Sequence, residues 1–260
     1  MWYQKFDTYI HGLGFVRSNV DHYVYYKQVG NHFIYVVLYV DDMLLVGNNM
    51  DVIKEVKMQL SSKFDMKDLG AASLILGMEI KRNRADRKLW LNQRKYIETI
   101  LHRFNMQECK PVKVPILVGV RLSSEQCPKT QEEEEEDMSH VPYASAIGSL
   151  MYAMVCTRPY IAHAMGDLRR YMSKPGKERW TTIKRVFRYL RGTTDHAICY
   201  QGKAGLDRVL DVHGFVDADW DGDMDHRRST SGYVFNLFGG AISWMKKKQV
   251  VVALSTREAE

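Results

Sequence analysis

Residues 33–46 read FIYVVLYVDDMLLV, an apolar run that is interrupted by one pair of acids. Residues 33–38 are rich in β-branched and aromatic side chains, which favour strands, and residues 43–46 form a second apolar run. Asp41 and Asp42 lie between the two runs, and Asp is a common turn residue. The stretch therefore predicts two strands that are joined by a tight acidic turn.

A hairpin and a helix are predicted on either side of this turn. Gly30 and Asn31 separate two strand-like runs, residues 23–26 and 33–38, which is a hairpin signal. After the turn, Asp51 can cap a helix. Its apolar positions keep helical spacing: Ile53, Val56, Leu60 and Phe64.

The next predicted elements complete a first segment of residues 1–110. Residues 73–80 and 89–92 are predicted strands, and the polar residues 81–88 form the turn between them. A second amphipathic helix follows, with apolar positions at Tyr96, Ile97, Ile100, Leu101 and Phe104. Residues 111–140 form a predicted flexible linker, because three prolines and the acidic run 132–137 interrupt regular structure.

Residues 141–195 are predicted to be helical, with three helices between residues 143 and 192. Pro159 suits the first position of the second helix. Ten Lys or Arg residues lie between Arg158 and Arg191, against two acids, so this segment is basic. Lys184, Arg188 and Arg191 fall on one face of the third helix. A solvated helix face and a surface that follows nucleic-acid phosphates explain this charge equally well.

The last segment, residues 196–260, is predicted to form a sheet. Residues 210–216, 233–237, 241–244 and 250–254 have strand patterns, with a turn at Gly239 and Gly240. Residues 256–260 have the pattern of a helix start. The whole chain is therefore predicted to be an α+β protein.

Composition limits the class of protein. Apolar residues make up 45% of the chain, which can fill a core and argues against wholesale disorder. The net charge of +6 is only weak evidence for a polyanionic partner, since the distribution of the charges matters more than the net charge. Four scattered cysteines indicate reduced thiols rather than a zinc site or disulfide framework. With no signal-peptide pattern and no apolar run of about 20 residues, we expect an intracellular protein of the cytoplasm or nucleus, without a membrane segment.

The acidic pair has a chemical interpretation and a plain alternative. Two adjacent carboxylates are costly to hold together unless a cation neutralises them. Mg²⁺ prefers carboxylate oxygens, and phosphoryl transfer commonly uses two such ions about 3.5–4 Å apart. Paired Asp residues are nevertheless common in turns, so a structural acidic turn remains the alternative.

Several motifs, in order along the chain, resemble the Pol polyprotein of copia-type retrotransposons. The first group is WYQKFD at 2–7, DHYVY at 21–25, LYVDDM at 38–43, FDMKDLG at 64–70 and LGMEI at 76–80. The second is YASAIGSL at 143–150, TRP at 157–159, YLRGT at 189–193, VDADW at 216–220, RRSTSGY at 227–233, SW at 243–244 and ALSTREAE at 253–260. The resemblance covers essentially the whole chain except the acidic linker. It implies part of a reverse-transcriptase palm and thumb, a helical connection, and the N-terminal part of a mixed ribonuclease H-like sheet, truncated at both ends.

The resemblance also implies roles for individual residues. In the polymerase part, Asp41 is a metal ligand and Asp42 is the secondary carboxylate, with Tyr39 and Val40 near the primer end. In the ribonuclease H part, Asp217 and Glu260 are metal ligands. Glu258 competes with Glu260 for this role. Six Asp residues lie between positions 211 and 225, so a merely acidic stretch is the alternative at Asp217.

The sequence also departs from the family pattern. The family's other polymerase Asp lies on a strand upstream of residue 1, the ribonuclease H part stops at its second carboxylate, and Tyr160 stands where the family usually has Asp. We therefore expect a Mg²⁺-dependent polymerase and ribonuclease H ancestry without activity in the isolated chain. A deoxynucleoside triphosphate is expected to bind only if the N-terminal part is supplied. The alternatives are a non-catalytic remnant that holds an RNA–DNA hybrid or duplex, and an α+β protein without any nucleic-acid role.

Overall fold

The computed structural model describes residues 2–117, 119–120, 122–130, 140–173, 175–202, 212–220 and 222–260. It divides into two compact units, Met1–Ala72 and Ser73–Glu260. Helices and antiparallel sheets occur in both units, which confirms the predicted α+β class. The predicted acidic run at 132–137 and the start of the predicted strand at 210 lie outside the described residues.

The first unit is a four-stranded antiparallel sheet with two helices. Its strand order is β1-β2-β3-β4. The predicted hairpin at Gly30 and Asn31 is confirmed, since these two residues join β2 to β3. The elements are α1 (Trp2–Gly12), β1 (Val16–Arg17), β2 (Val24–Val29), β3 (His32–Tyr39), β4 (Asp42–Gly47) and α2 (Met50–Lys63).

Both helices pack on one face of this sheet. Alternate residues of β3 point into the core, as expected for a strand with one buried face. The buried core is made of Phe6, Ile10, Phe15, Tyr25, Ile34, Val36, Leu38, Ile53, Val56 and Leu60. The helix layer therefore fixes β3 and β4, and with them the acidic turn between these strands.

The predicted cap of α2 is wrong by two positions. The N-cap is Asn49, whose side-chain oxygen accepts hydrogen bonds from the N–H groups of Asp51 at 2.8 Å and Val52 at 3.2 Å. Asp51 lies inside the first turn, where its charge interacts favourably with the helix dipole. Asn and Asp are about equally good N-caps, so composition alone could not choose between them.

The second unit holds the remaining elements. They are β5 (Leu74–Ile75), β6 (Met78–Asn83), β7 (Lys88–Asn92), α3 (Arg94–Arg103), α4 (Tyr143–Thr157), α5 (Ala162–Leu168), α6 (Lys177–Gly192), β8 (Ala197–Gln201), β9 (Val212–Asp219), β10 (Thr230–Leu237), β11 (Gly240–Lys248) and α7 (Thr256–Ala259). The strands form two antiparallel sheets, of order β5-β6-β7-β8 and β11-β10-β9. No parallel pair occurs among these described strands, so the parallel part of a mixed sheet is not seen in them.

The three predicted helices of residues 143–192 are confirmed as α4, α5 and α6. Pro159 is the first residue of a short 3-10 turn, Pro159–Ile161, that leads directly into α5. Together with α3 these helices enclose a core of Ile97, Ile100, Leu101, Ile147, Leu150, Met165, Leu168, Ile183, Val186, Phe187 and Leu190. The apolar positions predicted for α3 are among the residues that pack in this core.

Two strand predictions need correction. The predicted strand 73–80 is interrupted at Leu76 and Gly77, which have φ of 50° and 68° and turn the chain from β5 into β6. The predicted strand 250–254 does not form. Its backbone is bonded elsewhere, because Ala253 O accepts the Trp220 indole N–H and Leu254 N–H donates to Glu258.

The chain also pairs strands that are far apart in sequence. Strand β8 pairs with β7, with Ile198 opposite Leu91 and Cys199 opposite Trp90. The sheet that begins in the predicted segment 1–110 is thus completed by residues of the predicted segment 196–260. The domain boundaries at 110, 140 and 195 remain predictions.

Candidate functional site

The acidic pair lies at the tip of the β3–β4 hairpin, as predicted. Tyr39 pairs with Asp42 across the two strands, which leaves Val40 and Asp41 as the two-residue turn. Val40 has a φ of +51°. The left-handed region costs an L-residue about 1–2 kcal/mol, and β-branched side chains are especially rare there. Such local strain is often found where a fold fixes functional groups.

Asp41 and Asp42 are both exposed at this turn. Tyr39 and Asp42 lie on the sheet face away from the helices, since Ile34, Val36 and Leu38 of the alternate register point into the core. Among the described residues, neither carboxylate has a cation within 4.0 Å. The turn therefore presents two unneutralised carboxylates, which is a donor set that suits Mg²⁺.

Asp217 lies in β9, which continues beyond the predicted strand 210–216 as far as Asp219. Asp217 stands opposite Gly232 of β10, so no side chain is present directly across from it, and it is exposed. Asp219 is two residues further and on the same face, which is consistent with the period of a strand. The helix α7 contacts β9, and this brings residues 256–259 to the strand that carries Asp217.

The helix start predicted at residues 256–260 is confirmed, but Glu260 itself lies just beyond the helix. The helix α7 begins at Thr256 with Ser255 as its N-cap, and Glu260 follows the last helical residue. Glu258 accepts the N–H of Leu254 at 2.7 Å and its own N–H donates to Ser255 Oγ at 3.2 Å. Glu258 is thus engaged in capping its own helix, whereas the exposed Glu260 side chain has no hydrogen bond or ion pair among the described residues.

A buried charged cluster was missed by the sequence reasoning. Asp223 is 2% exposed and accepts hydrogen bonds from Lys248 Nζ at 2.8 Å and from Arg170. Asp225 accepts bonds from Tyr171 Oη at 2.6 Å and from Ser124 N at 2.7 Å. The cluster thereby ties the loop between β9 and β10 to β11, to the 3-10 turn after α5 and to residue 124. The only sequence signal was the density of Asp residues, which did not distinguish Asp223 from its neighbours.

This cluster is better described as an ion-pair network than as a metal site. Asp223, Asp225 and His226 offer ligand atoms within 4.8 Å of one another. However, two cations already bind Asp223, and they would repel a divalent ion. Burial raises the pKa of Asp223, but the hydrogen bonds from Lys248 and Arg170 outweigh burial and hold that pKa well below its usual range.

The TRP motif at 157–159 has a structural explanation. Arg158 is 2% exposed, and its guanidinium donates to the carbonyl oxygens of Thr193 at 2.8 Å and Thr194 at 3.0 Å. These carbonyls follow the C-terminus of α6, where backbone acceptors lack helical partners. Burial lowers the pKa of Arg158 to about 10, so the group stays charged near neutral pH.

The basic face of α6 is partly occupied by contacts within the chain. Arg188 Nε donates to Lys110 O at 2.7 Å, and Arg191 Nε donates to Gln107 O at 2.6 Å. Both guanidinium groups hold the segment after α3 against α6. Lys184 is exposed and has no hydrogen bond or ion pair among the described residues.

Comparison with known proteins agrees with the resemblance of the motifs. Residues 1–118, which contain the acidic hairpin, match the family described as reverse transcriptase (RNA-dependent DNA polymerase). The Retrovirus-related Pol polyprotein from transposon TNT 1-94 of Nicotiana tabacum is 52% identical over 100% of this chain and 19% of its own length. The chain belongs to the Pol polyproteins of copia-type retrotransposons. The corresponding polyprotein from transposon RE2 of Arabidopsis thaliana is 38% identical over 100% of this chain and 17% of its own length.

The chain therefore spans less than a fifth of these two Pol polyproteins. A shorter relative, an uncharacterized mitochondrial protein of Arabidopsis thaliana, is 35% identical over 87% of this chain and 88% of its own length. No solved structure matches the chain. Among the described residues, no helix has the length and apolar character needed to cross a membrane.

Proposed function

We propose that this copia-type Pol segment supplies one acidic pair of an RNA-directed DNA polymerase site and the beginning of a ribonuclease H domain. The observation that carries the proposal is the exposed pair Asp41 and Asp42, at a hairpin turn within the residues that match the reverse-transcriptase family. Both activities would be two-metal phosphoryl transfers, in which carboxylates hold the ions.

The acidic hairpin fits a magnesium ion. Asp41 and Asp42 would be its ligands, since their oxygens are exposed and have no cation partner among the described residues. When bound, Mg²⁺ supplies charge stabilisation for the attacking and leaving oxygens. The chain itself holds the two carboxylates in a turn fixed by packing of α2 under the strands, while Tyr39 and Val40 line the primer side.

The edge of the first sheet supports a site shared with other Pol residues. In the described sheet, β4 is an edge strand, and Asp42 is its first residue. An edge strand offers unpaired N–H and C=O groups to a further strand. A strand that paired with β4 could bring another carboxylate next to Asp41 and Asp42, which the two-metal site of the family requires.

The second proposed site lies in the ribonuclease H part. Asp217 on β9 and Glu260 after α7 would hold Mg²⁺ in the ribonuclease H part, because α7 contacts β9 and both carboxylates are exposed. Glu258 is the weaker candidate, since its carboxylate already accepts the N–H of Leu254. A complete set of ligands would again need residues beyond these two.

A primer-extension assay tests the polymerase proposal. A polypeptide of residues 1–260, with a primed RNA template, Mg²⁺ and deoxynucleoside triphosphates, is expected to give no incorporation, because one acidic pair cannot hold two ions. A longer Pol polypeptide that adds the upstream palm residues is expected to extend the primer. Extension by residues 1–260 alone that disappears in Asp41→Asn would contradict the expected inactivity. A longer polypeptide without extension would contradict the proposed function.

The alternative function is nucleic-acid binding by the basic face of α6, and the exposed Lys184 favours it. We expect the triple variant Lys184→Gln, Arg188→Gln and Arg191→Gln to bind an RNA–DNA hybrid more weakly than the unmodified chain. The slope of log affinity against log salt should become less steep by about 0.9 for each lost phosphate contact. Since Arg188 and Arg191 also hold backbone carbonyls, Lys184→Gln alone is the cleaner test, checked by an unchanged melting temperature. Unchanged affinity and slope in both variants would exclude this surface.

A further inference from the structure

The turn between β6 and β7 is the most basic short segment of the described chain outside α6. Residues 81–88 read KRNRADRK, with five Lys or Arg residues and one acid among eight. We refer to these residues as the basic hairpin tip. Their sequence predicts a polar turn, and neither proposed catalytic site uses them.

The basic hairpin tip is a turn with internal hydrogen bonds. Its last cross-strand pair is Asn83 with Lys88. Asn83 Nδ2 donates to Asp86 Oδ2 at 2.8 Å, and Asn83 Oδ1 accepts the N–H of Asp86 at 3.1 Å. The one acid of the tip is thus bonded to an amide inside the turn. Arg87 has a φ of +52°, which completes the reversal of the chain.

The base of the tip is fixed to the neighbouring strand. Strand β7 pairs with β8 along its whole length, and Gly202 N–H donates to Arg87 O at 2.9 Å. A Cβ atom on Gly202 would lie 3.5 Å from Arg87 Cβ, so the two segments are in close contact. The hairpin is therefore held in place before any ligand binds, which lowers the entropic cost of binding.

The cations surround the tip. Lys81 stands opposite Trp90 and Arg82 opposite Leu89, so these two side chains point to opposite faces of the ribbon. Arg84 and Arg87 lie in the turn, and all four are exposed. Among the described residues, Lys81, Arg84 and Lys88 form no ion pair within 4.0 Å. Like charges that are concentrated in one short turn repel one another, and a polyanion would relieve that repulsion.

We propose that the basic hairpin tip contacts the phosphate backbone of a nucleic-acid duplex. This proposal rests on the proposed function, in which the Pol segment works on nucleic acid. Phosphates line both sides of a duplex groove. A β-ribbon with cations on both of its faces can therefore contact the phosphates on each side. Arg fits phosphate through its planar fork of donors, whereas the contacts are independent of base sequence.

A salt titration with a matched charge change tests the proposal. The variant Lys81→Gln with Arg84→Gln removes two exposed cations of the tip, and Lys63→Gln with Lys67→Gln removes two exposed cations elsewhere. The probe is an RNA–DNA hybrid of about 20 base pairs, with the full 260-residue chain. For two lost contacts, the salt slope of the tip variant should become less steep by about 1.8, and affinity near 0.1 M salt should fall roughly 60-fold if affinity at 1 M salt is unchanged. The control pair should change neither quantity beyond experimental error.

The outcomes separate this proposal from the proposed function. Equal affinity and slope in the tip variant and the control would overturn the tip proposal while the chain still binds the hybrid. No binding of the hybrid by the unmodified chain would overturn the nucleic-acid role of the whole segment. Arg84→Gln alone lies outside the strand ladder and should give about half of the slope change, with an unchanged melting temperature, which excludes misfolding as the cause.

Discussion

Asp41→Asn is expected to lower nucleotide incorporation by a longer Pol polypeptide at least about 100-fold, since even the partners that orient a metal ligand contribute about 10–100-fold. Asp41 is the turn residue of the β3–β4 hairpin and is exposed. Asn keeps the size of the side chain but removes its negative charge, so the turn should persist while the affinity for Mg²⁺ falls. The measurement is primer extension at several Mg²⁺ concentrations.

Two further variants sharpen this test. Asp51→Asn is the matched control, because Asp51 is 91% exposed at its side chain and lies in the first turn of α2, beyond the hairpin. It should leave incorporation within about twofold of the unmodified value, as expected for a surface substitution away from a site. Asp42→Asn should lower incorporation less than Asp41→Asn. Full activity of Asp41→Asn at every Mg²⁺ concentration would exclude Asp41 as a ligand.

The second large effect is a loss of stability, and it is expected for a substitution at Asp223. Asp223→Asn should lower the free energy of unfolding of the second unit by about 3 kcal/mol, since removal of one partner leaves buried charges uncompensated. Its carboxylate is fully buried, whereas Arg170 and Lys248 are 21% and 25% exposed at their side chains. The two cations can regain part of their hydration, which places the effect at the lower end of the usual range. Denaturant unfolding followed by circular dichroism measures it.

The contribution of Asp223 to stability depends on pH in a definite direction. The pKa of Asp223 is lowered in the folded state, so its contribution to stability is present above the pKa of the unfolded chain, about 3.9. The contribution is lost as the pH falls below that value. The difference between Asp223→Asn and the unmodified chain should therefore be constant near neutral pH and shrink below about pH 4.

The control for Asp223 is an exposed ion pair in the same unit. Asp195 lies 3.0 Å from Arg94, and the two side chains are 74% and 55% exposed. Asp195→Asn should cost no more than about 1 kcal/mol, as exposed pairs contribute little. An equal loss of stability in both variants would show that burial of the Asp223 cluster does not set its energy.

Local patterns in the sequence predicted the parts of the fold that depend on neighbouring residues. The β3–β4 turn, the Gly30 and Asn31 hairpin, and the apolar faces of α2 and α3 follow from strand alternation, turn chemistry and helical spacing. The proposed polymerase carboxylates could be named before the fold was known because they lie within one such turn. The resemblance to the Pol family supplied their role.

Contacts between distant residues could not be predicted in this way. The pairing of β7 with β8 depends on a partner strand more than 100 residues away, and no local period encodes it. Residues 250–254 have a strand composition, but the Trp220 indole and the Glu258 carboxylate bind their backbone. Asp223 was one acid among six, and only the fold brings Arg170 and Lys248 to it.

The long separation between β7 and β8 determines the order in which the chain can fold during its synthesis. Strands β2, β3 and β4 are joined by two-residue turns, so the first sheet can assemble as it leaves the ribosome. Strand β7 ends at Asn92 and its partner β8 begins at Ala197. Because synthesis proceeds at about 5–20 residues per second, the edge of β7 stays unpaired for roughly 5–20 seconds. The helix α3 lacks its apolar partners for part of that interval, because α4 is complete only at Thr157 and α6 only at Gly192. Assembly of the second unit is therefore limited by translation rather than by the intrinsic speed of its helices.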